Sequence, residues 1–173
     1  GDLFVSDALN HASIIDGIRL SKARREVYPH KDVAALREVL AQARANGHPD
    51  TGEPYRLILV VTDGVFSMDG DMALLAEMAP ICTGRDALLV VDDAHGLGVL
   101  GSEGRGSVDQ AGLSQQEVPV LMGTLGKAFG VAGAFVAGSG LLIETLIQQA
   151  RSYIYTTAMP AALAEATRAS LRI

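Results

Sequence analysis

Short apolar runs with no polar residue inside them constrain this chain more than any other feature. Leu57–Val61, Ala87–Val91, Val118–Met122 and Ala134–Ala137 are of this kind. A strand with one wet face alternates apolar and polar residues; a strand without alternation is buried on both faces, as in a parallel sheet. Leu3–Val5 predicts a fifth strand, and Glu26–Tyr28 a sixth. Amphipathic stretches fill the gaps. Val33, Leu36, Leu40 and Ala43 recur at helical spacing behind Asp32, a residue suited to cap a helix start. Further helices are predicted over Ala73–Ile81 after Asp71, over Leu141–Ala150 behind Ser139, and from Pro160, in a first turn, to the C-terminus. Strands alternating with helices predict an α/β fold, a mostly parallel sheet flanked by helices in three layers. The turn-rich segment Gly47–Pro54 reads as a loop inside one domain spanning residues 1–173.

Composition narrows the function. With 14 Lys and Arg against 20 Asp and Glu, the net charge is −6, and no basic run is present. Nucleic acid and anionic membranes are therefore poor partners. Cys82 is the single cysteine, which leaves no internal disulfide and no cysteine metal cage. The apolar runs are far shorter than the ~20 residues a membrane helix needs. With no leader visible, a soluble cytoplasmic protein is expected. The chain opens without Met inside an apolar run and stops inside a helical pattern, so a fragment of a longer protein is expected.

The polar residues collect where the strands end. Val61 leads into Thr62-Asp63-Gly64, Val91 into Asp92-Asp93-Ala94-His95-Gly96, and Met122 into Gly123-Thr124-Leu125-Gly126-Lys127. Ligands of open α/β sheets bind beyond the carboxyl ends of the strands, so carboxylates, an imidazole and a lysine are expected to converge on one edge.

Several familiar motifs fail. Gly96-Leu97-Gly98-Val99-Leu100-Gly101 matches G-x-G-x-x-G, but it leads into a loop and has no acid at the required distance. Gly126-Lys127 lacks a glycine at 121 and a hydroxyl at 128, so it is not a phosphate loop. Asp92 and His95 have no obvious third metal ligand. Ser67 has no nucleophile-elbow glycines around it.

Lys127 lies among Gly126, Ala128 and Gly130. Burial there would favour its neutral amine, the form that Schiff-base chemistry uses. The carboxylate of Asp92 suits a pyridinium nitrogen. Lysine, aspartate and histidine at successive strand ends together point to pyridoxal phosphate.

Six stretches in order then carry a family resemblance: Leu9–Ser13, Asp63–Asp71, Val91–Gly96, Gly104–Gly106, Gly123–Lys127 and Tyr155–Thr157. They resemble the α-oxoamine synthases, fold-type I pyridoxal-phosphate enzymes that condense an amino acid with an acyl-thioester and release carbon dioxide. The resemblance implies that this is the cofactor-binding large domain, without the family's N-terminal segment and C-terminal small domain. It implies that Lys127 carries the cofactor as an imine, Asp92 pairs with its pyridine nitrogen, and His95 bonds its phenolic oxygen. His11 would stack on the ring and serve as a proton donor. Ser67 would lie near the cofactor oxygen and substrate, and Thr124 would contact phosphate. Thr157 would reach the phosphate of a second chain, in a homodimer with shared active sites. Asp93 is expected to tolerate loss of its charge better than Asp92.

The resemblance also bears on substrate. Val118–Thr124, Gly133–Gly138, Glu144–Gln148 and Tyr153–Pro160 are most similar to members that join L-alanine to a pimeloyl-thioester in biotin synthesis, carried on CoA or a carrier protein. Ser6–Gly17 is more similar to members that join glycine to acetyl-CoA. The larger share of matches favours alanine. A truncated, non-catalytic homologue is the third reading, disfavoured by the intact Lys127, Asp92 and His95.

Overall fold

The computed structural model describes residues 1–172; Ile173, where the last predicted helix ends, lies outside the described residues. Six strands form one sheet: β1 (Asp2–Asp7), β2 (Arg24–Tyr28), β3 (Leu57–Asp63), β4 (Leu88–Asp92), β5 (Val120–Thr124) and β6 (Ala134–Gly138), in the order β2-β1-β3-β4-β5-β6. All six predicted strands are present, but Ala134–Ala137 is exposed rather than buried on both faces, because β6 is the edge strand. β1 to β5 run parallel, and β6 is antiparallel to β5. A parallel return needs a crossover of a dozen or more residues. The 125–133 connection is shorter, so β6 turns back on its neighbour.

Helices flank the sheet. α1 (Ala12–Ser21) follows β1, α2 (Val33–Asn46) follows β2, and α3 (Leu75–Gly84) follows β3. Asp32 caps α2 as predicted, its side chain accepting from the Ala35 N–H at 2.8 Å. α2 buries Leu36, Leu40 and Ala43, three of the four residues of the predicted stripe. With Met78, Ala79 and Cys82 of α3 they cover Leu3, Val5, Ile58, Val60 and Leu89 of the sheet. α3 starts later than the predicted Ala73. The Ala73 N–H is taken by the Gly64 carbonyl at 3.0 Å, and Met72 pairs with Val65 in a bridge, so neither residue is free to open a helix.

After β4 come a short 3₁₀ turn (Ser102–Gly104) and α4 (Ser107–Gln110). After β6 come α5 (Gly140–Gln149), α6 (Arg151–Ile154) and α7 (Ala161–Ser170). Ser139 caps α5 as predicted, accepting from the Leu142 N–H at 3.2 Å. Pro160 stands one residue before the first turn of α7, at the cap. No helix among the described residues is long and apolar enough to cross a membrane.

Candidate active site

Register puts the polar clusters side by side. Asp63, the last residue of β3, is opposite Asp92, the last of β4, and Asp92 is opposite Met122 of β5. The edge where these strands end carries a cavity of about 140 Å³ lined by His11, Ser13, Asp63, Asp92, Ala94, His95, Met122, Thr124 and Lys127. A larger cavity, about 210 Å³, lies at the opposite end of the sheet, beside Leu3, Arg24 and Tyr55. It gathers no comparable set of reactive groups.

Five of the seven predicted site residues therefore meet: His11, Asp92, His95, Thr124 and Lys127. The Lys127 Nζ lies 2.8 Å from His95 Nε2. An ammonium there donates to a neutral imidazole. Partial burial, with the Lys127 charge adding to it, holds His95 below the usual histidine range. Lys127 itself is exposed rather than buried, so the imidazole and the open cavity, not desolvation, define its surroundings. The Asp92 carboxylate accepts from the Ala94 N–H at 3.1 Å. Thr124 Oγ1 donates to the Gly133 carbonyl at 3.1 Å and accepts from the Gly126 N–H at 3.2 Å, which fixes the turn that leads to Lys127.

His11 is placed by groups to which the sequence motifs assign no role. Asn10 donates to the Val61 carbonyl at 2.7 Å and to Ser6 Oγ at 2.9 Å, and accepts from the Asp63 N–H at 2.9 Å. Asp63 Oδ2 in turn accepts from the His11 N–H at 2.7 Å. The His11 ring caps α1, accepting from the Ser13 N–H at 3.2 Å. Burial, with the Asp92 charge adding to it, pushes Asp63 up to about 6 against the pull of the His11 N–H. The signal for Asp63 was its place at a strand end. Asn10 gives no such signal, because its partners come from β1 and β3.

Two predicted residues stand apart. Ser67 is exposed in the turn after β3, and Thr157 is exposed between α6 and α7; neither lines the cavity. Asp93, next to Asp92 in sequence, does not line the cavity either. It is fully buried, and its Oδ2 accepts from the Ser107 N–H at 2.8 Å. A Cβ on Gly96 or Gly106 would come within 2.1 Å of its carboxylate oxygens. Asp93 is thus a packed anchor for the loop that carries Asp92 and His95.

A mostly parallel sheet with an amine, an imidazole and a carboxylate converging at its carboxyl edge defines a class. Residues 1–173 match the aminotransferase class I and II family, and the chain belongs to it. Among curated proteins it is 63% identical, over 99% of its length, to 8-amino-7-oxononanoate synthase of Marinobacter nauticus. It is 58% identical, over its whole length, to that of Methylococcus capsulatus. Among solved structures it resembles serine palmitoyltransferase of Sphingomonas wittichii, with a TM-score of 0.87, 34% identity and coverage of 99% of this chain and 41% of that one. It also resembles 8-amino-7-oxononanoate synthase of Francisella tularensis, with a TM-score of 0.81, 36% identity and coverage of 99% and 46%. A further serine palmitoyltransferase, 33% identical with a TM-score of 0.86, was solved with pyridoxal phosphate. These neighbours are α-oxoamine synthases, as the sequence motifs indicated. The chain spans 41% and 42% of the length of the two curated relatives.

Proposed function

We propose that this chain is the cofactor-binding part of an 8-amino-7-oxononanoate synthase, which condenses L-alanine with a pimeloyl-thioester for biotin synthesis. The observation that carries this is the convergence of Lys127, His95 and Asp92 at neighbouring strand ends, in a chain 63% identical to such a synthase. The donor set fits pyridoxal phosphate: a primary amine for its carbonyl carbon, a carboxylate for its ring nitrogen, and an imidazole for its phenolic oxygen. When bound, that cofactor acts as an electron sink for a carbanion at the amino acid's α-carbon.

The roles of the chain's own residues follow. Lys127 would hold the cofactor, and its free amine would be able to take the α-proton. The negative charge of Asp92 keeps a ring nitrogen protonated. His95, held neutral beside the Lys127 ammonium, orients that amine and is free to bond the phenolic oxygen. His11, which lines the same cavity, would stack on the ring and donate a proton toward the thioester oxygen. Thr124 would bind phosphate, Ser67 would serve the cofactor oxygen and the substrate, and Thr157 would serve the phosphate of a second chain in a homodimer. The reaction joins the α-carbon to the acyl carbon, expels the thiol of CoA or carrier protein, and loses the carboxylate as carbon dioxide.

Two measurements on the complete protein test this. Borohydride reduction with peptide mapping should place pyridoxyl label on Lys127; label on another lysine, with none on Lys127, sinks the assignment. Carbon dioxide release should favour alanine with pimeloyl-thioester over glycine with acetyl-CoA. A pocket for the longer chain gains about 0.8 kcal/mol per methylene buried. The reverse preference would overturn the substrate reading and leave the cofactor reading intact.

A further inference from the structure

Of the four histidines, His11 and His95 line the cavity, and a third, His30, lies outside it in a position with its own logic. His30 sits in the loop between β2 and α2. Its Nδ1 is 2.9 Å from Asp7 Oδ1, at the end of β1, and its Nε2 is 3.0 Å from Asp71 Oδ2, in the loop after β3. A neutral imidazole has one N–H, so it can donate to only one of two carboxylates, and its lone pair then faces the other. Only the imidazolium satisfies both. The remaining charged group at the cluster is Lys31, whose Nζ is 2.9 Å from the same Asp71 oxygen and whose N–H donates to Asp7 Oδ2 at 2.9 Å. With His30 charged, two cations face two carboxylates; with His30 neutral, one carboxylate is left uncompensated. The Phe66 ring packs edge-on against the imidazole at 4.4 Å, and Lys31 is held at φ 56°.

Both carboxylates hold segments that matter. Asp7 Oδ1 also accepts from the Leu9 N–H at 2.9 Å, in the segment that delivers His11 to the cavity. Asp71 closes the turn carrying Ser67, since the Phe66 N–H donates to the Asp71 carbonyl at 2.9 Å. We propose that His30, as an imidazolium bridging Asp7 and Asp71, is a pH-sensitive positioning residue that clamps the His11-bearing loop to the Ser67-bearing loop. The inference rests on the cavity being the active site, but the clamp itself is observable without activity.

The test uses the complete protein. Carbon-bound proton signals of His30 are followed by NMR through a pH titration, together with hydrogen exchange at the amides of Leu9 and Phe66. The expected result is a His30 midpoint above that of an ordinary histidine, with exchange at both amides rising several-fold as it deprotonates. The His30→Gln protein, whose single amide nitrogen carries no charge to bridge both carboxylates, should show the fast exchange at every pH. It should keep borohydride label on Lys127 and lose roughly ten- to a hundredfold in kcat, the size of loss that misplacing a reacting group brings. Asp71→Asn should lower the His30 midpoint. An ordinary His30 midpoint, or exchange at the two loops indifferent to the titration, overturns the clamp. Absence of label on Lys127 in the unaltered protein would instead overturn the function proposed above, whatever His30 does.

Discussion

Residues 1–123 and residues 124–172 are two different kinds of structure in one chain. Among the described residues, every buried one lies in the first region, where Leu36, Leu40 and Val60 have no exposed surface at all. The second region has none, although it is rich in apolar side chains: Leu141 is 81% exposed and Tyr155 72%. Its helices obey the local rules, with a cap at Ser139 and an apolar stripe on α5, yet they have little to pack against. Local propensity makes an element; only a second surface makes a core. The cavity straddles this divide. Asp92 and His95 stand on the packed side, while Thr124 and Lys127 stand where the packing runs out.

The largest expected effect tests whether the site needs both sides. Asp92→Asn keeps the shape and removes the charge, so kcat of the complete enzyme should fall by about a hundred- to a thousandfold, roughly 2.7–4 kcal/mol of barrier. Lys127→Ala should lose at least as much and should also abolish the borohydride label. Near-normal turnover by either variant would show that one side suffices.

Core truncation addresses the comparison directly. Leu89→Ala empties a position 1% exposed and should cost about 2–5 kcal/mol in urea unfolding of the complete protein. Leu141→Ala, at an exposed position, should change stability by no more than ~0.5 kcal/mol. A Leu141 loss as large as that of Leu89 would show that another surface covers α5 in the complete protein, as the proposed homodimer allows.

The same divide explains what was legible in the sequence. The strands were, because they stand out as unbroken apolar runs, although such a run did not guarantee burial on both faces: Ala134–Ala137 of β6 is exposed. α2 was, because its buried stripe has helical spacing and Asp32 marks its start. α1 was not: His11 is an unusual cap, Gly17 interrupts the helix, and Ile18 is its only buried residue. The cluster of Asp92, His95 and Lys127 was legible because strand ends converge. The supports were not. Asn10 and Asp93 act through partners remote in sequence, Val61 and Ser107, and spacing carries no trace of such contacts. Ser67 was named from a motif, and its exposed turn gives no hint of the cavity.

The pH dependence of stability separates two contributions on the packed side. Asp63 has a folded value of about 6, above the ~3.9 of an unfolded chain. The native state therefore binds more protons between these values, and stability should fall as pH rises from about 4 to about 6. Over that window the loss is roughly 3 kcal/mol at most. Asp63→Asn should flatten that window in the cofactor-free protein. Partial burial alone would lower His30, but the Asp7 and Asp71 carboxylates outweigh it and raise the imidazole above its ordinary value. Its stabilisation is complete below about pH 6.5 and is lost as pH rises through its folded value. The two slopes share a sign but occupy different windows. A slope near pH 5 that survives Asp63→Asn would assign that window to another carboxyl.

The smallest effect is the sharpest control, because it applies one chemical change to both regions. Asp32 and Ser139 each accept a backbone N–H at a helix start, from Ala35 and Leu142. Replacing either by Ala removes about 1 kcal/mol of capping. α2 is anchored by Leu36, Leu40 and Ala43, so it cannot fray without exposing the core. Asp32→Ala should therefore lower global stability by nearly the whole amount. α5 buries no residue, so Ser139→Ala should instead raise hydrogen exchange within the first turn of α5 and leave the unfolding midpoint nearly unchanged. Equal shifts of the midpoint for the two variants would mean that α5 unfolds together with the sheet, and that the second region is as firmly coupled as the first.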